Sequence, residues 1–196
     1  MRTQAERSAA MRNRLIEVGL ALFVEHGYEA TSTSTLLAKA RASKGALYHH
    51  FSSKQALFEA IFEHVAEQSI SQALLRPLGG PGSTEVEIIV ESALRWLHQA
   101  RRPEVSRILL EEGPRVLGFK RARDLEAKYS LALMMRGLER AAKAGEINLP
   151  DLELAARLVN AALAEAALIS LQKGRHPSRA KIEATIRRLI EGLMRS

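Results

Sequence analysis

Apolar residues recur at helical spacing along almost the whole chain. The first such stripe consists of Leu15, Val18, Leu22 and Phe23. It stops before Gly27, because glycine can adopt the left-handed conformation that ends a helix. Similar stripes follow up to Met194, and no stretch reads as a credible strand. The pattern predicts an all-α fold of about nine helices, the first from about Ser8 to His26.

Capping residues mark the helices that come next. Thr33 is the predicted N-cap of helix two, which ends at Ala40, and Ser43 is the predicted N-cap of helix three. Ser52 is the predicted cap of helix four, with Gln55 three residues later to complete a capping box. Helices two and three are therefore short, and helix four begins directly behind them.

Helix three, predicted from Lys44 to Phe51, has two different faces. Leu47 and Phe51 are four residues apart and share the face that the core should cover. At about 100° per residue, the opposite face carries a cation, a bare patch of backbone, a phenol and an imidazole. These residues are Lys44, Gly45, Tyr48 and His49.

Residues 76–82 contain two prolines and three glycines and form the only linker-like stretch of the chain. Beyond this stretch, Thr84 and Glu87 predict a second capping box. Pro103 opens a predicted short helix that ends at Gly113–Pro114. Three longer helices are predicted over about 117–144, 150–173 and 178–194. A basic N-terminal module thus precedes a longer helical module.

Charge is distributed unevenly between these modules. The 196 residues include 29 Lys and Arg against 22 Asp and Glu, a formal net charge of +7. No acidic residue lies between Glu29 and Glu59, and this stretch contains Lys39, Arg41, Lys44 and Lys54. A basic surface of this kind is either simply solvated or binds a polyanionic partner such as nucleic acid or an anionic membrane surface, and charge alone does not choose between these partners.

Several classes of protein are disfavoured. The chain contains no cysteine, which excludes a disulfide framework and a thiolate zinc site and favours a reducing cytoplasm. The longest early apolar run, Gly19 to Val24, is too short to span a bilayer. Adjacent His49 and His50 diverge on a helix, so no metal site is expected. No phosphate loop or nucleophile with a visible base is present, and we expect a cytoplasmic protein without catalytic residues, cofactor or membrane contact.

Three segments carry a resemblance to a known family. They run from Thr31 to Ala40, from Ser43 to Phe51 and from Ser53 to Phe58. Together they resemble the DNA-binding domain of the TetR family of bacterial transcriptional regulators, over about Arg12 to Val65. Leu37, Arg41 and Ala42 stand where this family commonly has Ala, Gly and Val. An Arg at a turn position that needs positive φ costs on the order of 1 kcal/mol.

The resemblance implies that residues 8–54 form a helix-turn-helix DNA-binding domain and residues 55–196 an effector-binding and dimerisation domain. The residues implied in phosphate or base-edge contact are Thr33, Ser43, Lys44, Gly45, Tyr48, His49, His50 and Lys54. Lys44 would read a base, since Lys can donate to guanine O6 and N7, and Lys54 would anchor a phosphate. Two alternatives remain: Tyr48 as a core aromatic, and Thr33 and Ser43 as caps only.

The same resemblance implies a two-fold homodimer on a pseudo-palindromic double-stranded DNA operator. Small and apolar residues on helices eight and nine resemble a dimerising face, with core within one chain as the alternative. The candidate interface residues are Ala161, Glu165, Leu168, Ile186, Leu189 and Leu193.

A small-molecule effector is the second implied partner. Candidate pocket residues are Trp96, His98, Phe119, Tyr129, Met134 and Met135, each of which could equally be plain core. The stripe is poor in carboxylates and has Arg95, His98 and Arg107 nearby, so a mainly apolar, weakly anionic effector is expected. The resulting hypothesis is a ligand-released repressor, with an activator of the same fold or a helical adaptor as alternatives.

Overall fold

The computed structural model describes residues 3–74, 78–172 and 177–194, and these residues form nine helices and no strand. The all-α prediction is therefore confirmed. The helices are α1 (Gln4–His26), α2 (Thr33–Ala40), α3 (Lys44–His50), α4 (Lys54–Ala73), α5 (Glu85–Gln99), α6 (103–117), α7 (119–143), α8 (Leu152–Leu171) and α9 (Arg179–Met194).

The first three helices pack around one apolar cluster together with the start of α4. Phe23, Leu36, Leu47 and Leu57 are almost fully buried there, and burial of each such side chain stabilises the fold by about 1.5–3 kcal/mol. A Cβ on Gly19 would come within 2.8 Å of an Ile61 methyl group, which shows that α1 lies very close to α4. The N-terminal module is thus built directly onto α4.

Helix α4 joins the two modules, since it packs on α1 and also on α5, α6 and α7. Gly113 of α6 lies directly against α4. A Cβ at that position would lie 2.5 Å from Phe62 Cε2, so glycine is required for this approach.

Polar contacts reinforce the joint between the modules. The Gln55 side chain donates to the Val116 carbonyl at 2.8 Å, and the Tyr28 N–H donates to Glu112 Oε1 at 3.4 Å. Further along α4, Glu59 pairs with Arg121 and Glu63 Oε1 lies 2.6 Å from Lys128 Nζ. Helices α6 and α7 are therefore tied to the N-terminal half of α4 and to the loop after α1.

Two predicted N-caps are wrong by one residue. Ser32, not Thr33, caps α2 by accepting the Thr35 N–H, and Ser53, not Ser52, caps α4. Gln55 does not complete a capping box, because its amide reaches the Val116 carbonyl instead. In both places two or more hydroxyl residues are adjacent, and packing of the helix selects which one has the extended backbone of a cap.

The predicted end of helix six at Gly113–Pro114 is also wrong. Pro103 does open α6, but the helix continues to Leu117 and ends at Gly118, whose φ is 81°. Wider π-type turns over Ser106–Glu112 precede Pro114, and such turns accommodate a residue that cannot donate a backbone hydrogen bond. A second wide segment, Ala127–Leu131, lies within α7.

The same apolar cluster continues into the second module, where α5, α7, α8 and α9 pack on one another. Val90, Leu138, Val159 and Ile190 are almost fully buried in it. The predicted Thr84–Glu87 capping box at the start of α5 is confirmed.

Candidate nucleic-acid interface

The turn between α2 and α3 is closed by backbone hydrogen bonds. Arg41 adopts the left-handed conformation, with φ 50° and ψ 45°. Its N–H donates to the Ala38 carbonyl at 3.2 Å, and the Ala42 N–H donates to the Leu37 carbonyl at 3.0 Å. The turn therefore has the conformation that favours glycine, and this chain forms it with an arginine.

Helix α3 begins at a cap and presents two faces. Ser43 accepts the Ala46 N–H at 3.1 Å, and Leu47 is buried against α1. The opposite face is exposed and consists of Lys44, Gly45, Tyr48 and His49. Tyr48 is 45% exposed, so it is not a core aromatic. Leu47 and the C-cap residue Phe51 are both buried in the core, as predicted.

The exposed face offers an unobstructed approach to the backbone. A Cβ built on Gly45 would meet only Ser43 Oγ, at 3.8 Å. The Lys44 ammonium group lies 6.0 Å from the centre of the Tyr48 ring and is exposed. Another molecule can therefore touch the backbone in the first turn of α3, with the Lys44 cation and the Tyr48 phenol flanking the contact.

At the end of α3, two histidines and an arginine lie together. The His49 and His50 rings are 5.0 Å apart, and the Arg12 guanidinium lies 5.3 Å from the centre of the Phe51 ring. Partial burial, followed by repulsion from His49 and Arg12, lowers the pKa of His50. The lowered pKa favours the neutral form of the His50 imidazole, which can donate one hydrogen bond without adding a charge.

Lys54 is the first residue of α4, and its ammonium group lies 4.1 Å from the centre of the Tyr28 ring. Tyr28 in turn packs edge-on against Phe58, with the ring centres 5.3 Å apart. This cation–π contact fixes the predicted phosphate anchor relative to α4.

The start of α2 adds hydroxyl groups that the sequence analysis did not single out. Ser34 and Thr35 are exposed, and their hydroxyls lie 2.7 and 2.9 Å from Ser32 Oγ. Thr33, the predicted contact, is half-buried. The signal available in the sequence is the unbroken hydroxyl run from Thr31 to Thr35.

Basic charge on this surface is not neutralised from within. In the part of the chain that the structure describes, Lys39, Arg41 and Lys44 make no salt bridge. On a helix-turn-helix, exposed cations and hydroxyls can bind phosphates, and a short exposed helix beside them can enter a major groove.

Comparison with known proteins identifies the fold that carries this surface. Residues 15–61 match the bacterial regulatory proteins of the tetR family, and residues 86–193, more than half of the chain, match the tetracyclin repressor-like C-terminal domain. The chain belongs to the TetR family. It is a DNA-binding transcriptional regulator of that family.

Individual TetR-family relatives resemble most of the chain. The transcriptional regulator UidR of Escherichia coli K12 is 29% identical over 159 residues, which cover 79% of this chain and 76% of the relative. A regulator from Pectobacterium atrosepticum has a crystal structure that is 27% identical, covers 98% of both chains and superposes with a TM-score of 0.76. GusR of Salmonella enterica is 27% identical, covering 94% of this chain and 95% of its own, with a TM-score of 0.68.

The candidate dimer residues of this TetR-family chain lie in different environments. Ala161 and Glu165 on α8 and Leu189 on α9 are exposed, whereas Leu168 is half-buried. Ile186 does not lie on a free surface: α9 packs on α8 and α5, and the stripe that contains Ile186 faces them. The side chain of Leu193 lies outside the described residues.

Two exposed leucines that the sequence pattern did not single out lie on α8 near the candidate interface residues Ala161 and Glu165. Leu154 and Leu158 are 53% and 54% exposed, and they share one face of α8 with Ala161 and Glu165 at spacings of four, three and four residues. The sequence does carry a signal for these exposed leucines, because α8 is long and apolar enough to cross a membrane. Core helices of globular proteins also meet that criterion.

The six candidate pocket residues do not share one cavity. Trp96 and Met134 line a cavity between α4, α5, α7 and α8, and Tyr129 lines a smaller one beside Trp96. His98 lies in a surface groove, Phe119 is 67% exposed, and Met135 packs against the core. Helical spacing alone could not separate these sites, because it gives the face of each helix but not its neighbour.

The cavity also contains polar side chains that the sequence analysis did not predict. Glu126, Ser130 and Asn160 line it together with Trp96. Glu126 is the one carboxylate among the residues that line this cavity, so the lining is poor in carboxylates but not free of them.

Proposed function

We propose that this regulator is a homodimeric repressor that binds a pseudo-palindromic operator in the cytoplasm and leaves it when a small ligand binds. The observation that carries the proposal is the uncovered apolar stripe of α8. It lies on the second module, while the exposed face of α3 lies on the first.

The α8 stripe supports the dimer. Leu154, Leu158 and Leu189 are exposed leucines, and only about a third of the most apolar window of α8 is buried within the chain. A second copy related by a two-fold axis would cover this stripe with the same stripe. Such pairing would also present two α3 helices to two half-sites of DNA.

The α3 face supports specific recognition. Lys44 is assigned to a base edge, because its ammonium group is exposed at the first turn of the helix. Tyr48, His49 and His50 are assigned to phosphates, together with Lys54 at the start of α4. Ser43 and Thr33 are assigned to backbone oxygens near the helix starts, and Gly45 to close approach of the DNA.

The position of α4 supports release by a ligand. Ile70 of α4 lines the cavity that also contains Trp96 and Met134. The same helix bears Lys54 at its DNA-proximal end and is held to α7 through Glu59 and Glu63. A ligand that favours one arrangement of α4 and α7 would change the separation of the two α3 helices.

The test is DNA binding to the region that flanks the protein's own gene. We expect salt-sensitive, saturable binding to an inverted repeat, with one dimer per site in sedimentation velocity. Transcription from that promoter in vitro should fall when the protein is added. Sequence-independent binding, a monomer at micromolar concentration or increased transcription would contradict the specificity, the dimer or the repressor role, respectively.

A further inference from the structure

Glu126 lies where three apolar cavities meet. The cavities measure about 50, 160 and 20 Å³, and Glu126 and Ser130 line all of them. Glu126 reaches this position because it ends the regular part of α7, immediately before the wide turns of Ala127–Leu131. Its carboxylate therefore faces the interior of the second module.

In the described ranges, no side chain gives the Glu126 carboxylate a hydrogen bond or salt bridge. Three arginines lie near these cavities, and each has another contact. Arg140 pairs with Glu85, Arg157 pairs with Glu153, and the Arg123 guanidinium lies over the Phe119 ring at 5.4 Å. Burial raises the pKa of Glu126, and this effect outweighs the attraction from Arg123.

The surroundings of Glu126 determine which ligand fits. Trp96 lines two of the three cavities, and the remaining wall is largely aliphatic. Asn160 donates to Ser130 Oγ at 3.3 Å, and Ser130 donates to the Glu126 backbone carbonyl, so these polar groups already have partners. A carboxylate without a partner beside an indole ring is the arrangement that attracts an organic ammonium ion.

We propose that the effector is an organic monocation with an apolar body, and that the Glu126 carboxylate binds its ammonium group. The proposed cationic effector differs from the mainly apolar, weakly anionic effector that the sequence predicts. The proposal deepens the proposed function and rests on it only for the step in which ligand binding weakens DNA binding.

The test uses three soluble probes that share a phenyl ring and a three-carbon chain. They are 3-phenylpropylamine, 3-phenylpropan-1-ol and 3-phenylpropanoate, titrated against the intrinsic fluorescence of Trp96, the only tryptophan of the chain. We expect the amine to bind at least about tenfold more tightly than the alcohol, and the carboxylate to bind most weakly.

Two variants assign the effect to one carboxylate. Glu126→Gln should bring the amine and the alcohol within about twofold of each other, since it keeps the shape of the side chain and removes the charge. Glu139→Gln removes the same charge from an exposed position on the same helix and should leave the tenfold difference unchanged. Equal or absent binding of the probes to the wild type, or an unchanged amine preference in Glu126→Gln, would overturn the proposal.

A gel shift with the operator separates this proposal from the proposed function. Selective amine binding that leaves operator affinity unchanged would keep the cation site and overturn ligand release. Absence of selective amine binding by a protein that still binds its operator would overturn the cation site alone.

Discussion

The candidate DNA-binding surface and the cavity between α4, α5, α7 and α8 differ in how their residues come together. The surface is built from one continuous segment, with four cations between Glu29 and Glu59 and the exposed helix α3 only seven residues long. The cavity draws Ile70, Trp96, Glu126 and Asn160 from four helices that are far apart in sequence. The first site depends on local helix geometry, whereas the second exists only after the second module has packed.

The largest expected effect tests whether DNA binding by the α3 surface depends on a dimer formed through α8. Leu158→Glu places a charge on the exposed stripe of α8, far from α3 in sequence, and should leave a folded monomer. If two copies bury this stripe, an unpaired charge there raises the dimer dissociation constant at least about a hundredfold, about 3 kcal/mol. Sedimentation velocity and operator affinity measure the outcome.

Gln68→Glu is the matched control, since it adds the same charge at an exposed position of α4. This variant should remain a dimer. A dimeric Leu158→Glu protein with unchanged operator affinity would show that the α8 stripe has another partner.

A smaller effect tests the surface residue by residue. Lys44→Ala should weaken binding to the cognate operator by about 1–3 kcal/mol more than binding to random DNA, because it removes a contact with a base edge. Lys54→Ala should weaken both about equally and lower the salt slope by about one, as expected for a phosphate contact. Anisotropy titrations at several salt concentrations separate the two, and equal losses for Lys44→Ala would remove its base-reading role.

An effect of about 1 kcal/mol concerns the turn that orients the surface. Arg41→Gly should raise the free energy of unfolding by about 1 kcal/mol, because Arg41 has a φ of 50° that glycine adopts without strain. Arg41→Ala keeps a Cβ and should give no such gain. Urea denaturation checks both variants, and equal stability of the two would show that the turn is not strained.

The smallest effect concerns the cavity and its dependence on pH. Burial raises the pKa of Glu126 above its ordinary value of 4.5, so the folded protein binds the proton more tightly than the unfolded chain. Stability attributable to this group is therefore lost as pH rises from about 4.5 through the folded pKa. Melting curves from pH 4 to 7.5 should show a difference between Glu126→Gln and the wild type that favours the variant and grows with pH. A constant difference would contradict burial of the ionised form.

The sequence was a good guide where neighbours along the chain decide the structure. The Thr84–Glu87 capping box, the buried Leu47 and the exposed face of α3 all depend on residues within one or two helical turns. The positive φ at Arg41 follows instead from the family resemblance, since Arg41 stands where the TetR family commonly has a turn glycine.

The sequence was a poor guide where distant helices decide. Glu126 lies among charged residues such as Lys120, Arg121 and Asp124, a pattern typical of a solvated helix, and only packing of α7 encloses it. Likewise, Gln55 looks like half of a capping box until α6 supplies the Val116 carbonyl. Pocket and interface residues on one helix cannot be told apart by spacing, because both are apolar.

The two hydrogen bonds from α6 to the N-terminal module constrain how that module can move. One joins Glu112 to the Tyr28 N–H before α2, and the other joins Val116 to Gln55 on α4. The packing of Gly113 against Phe62 adds a third point of attachment between α6 and α4. A change in the winding of the π-type turns over Ser106–Glu112 therefore cannot stay local, because it would move α4 and the loop before α2 together or break one of these three contacts.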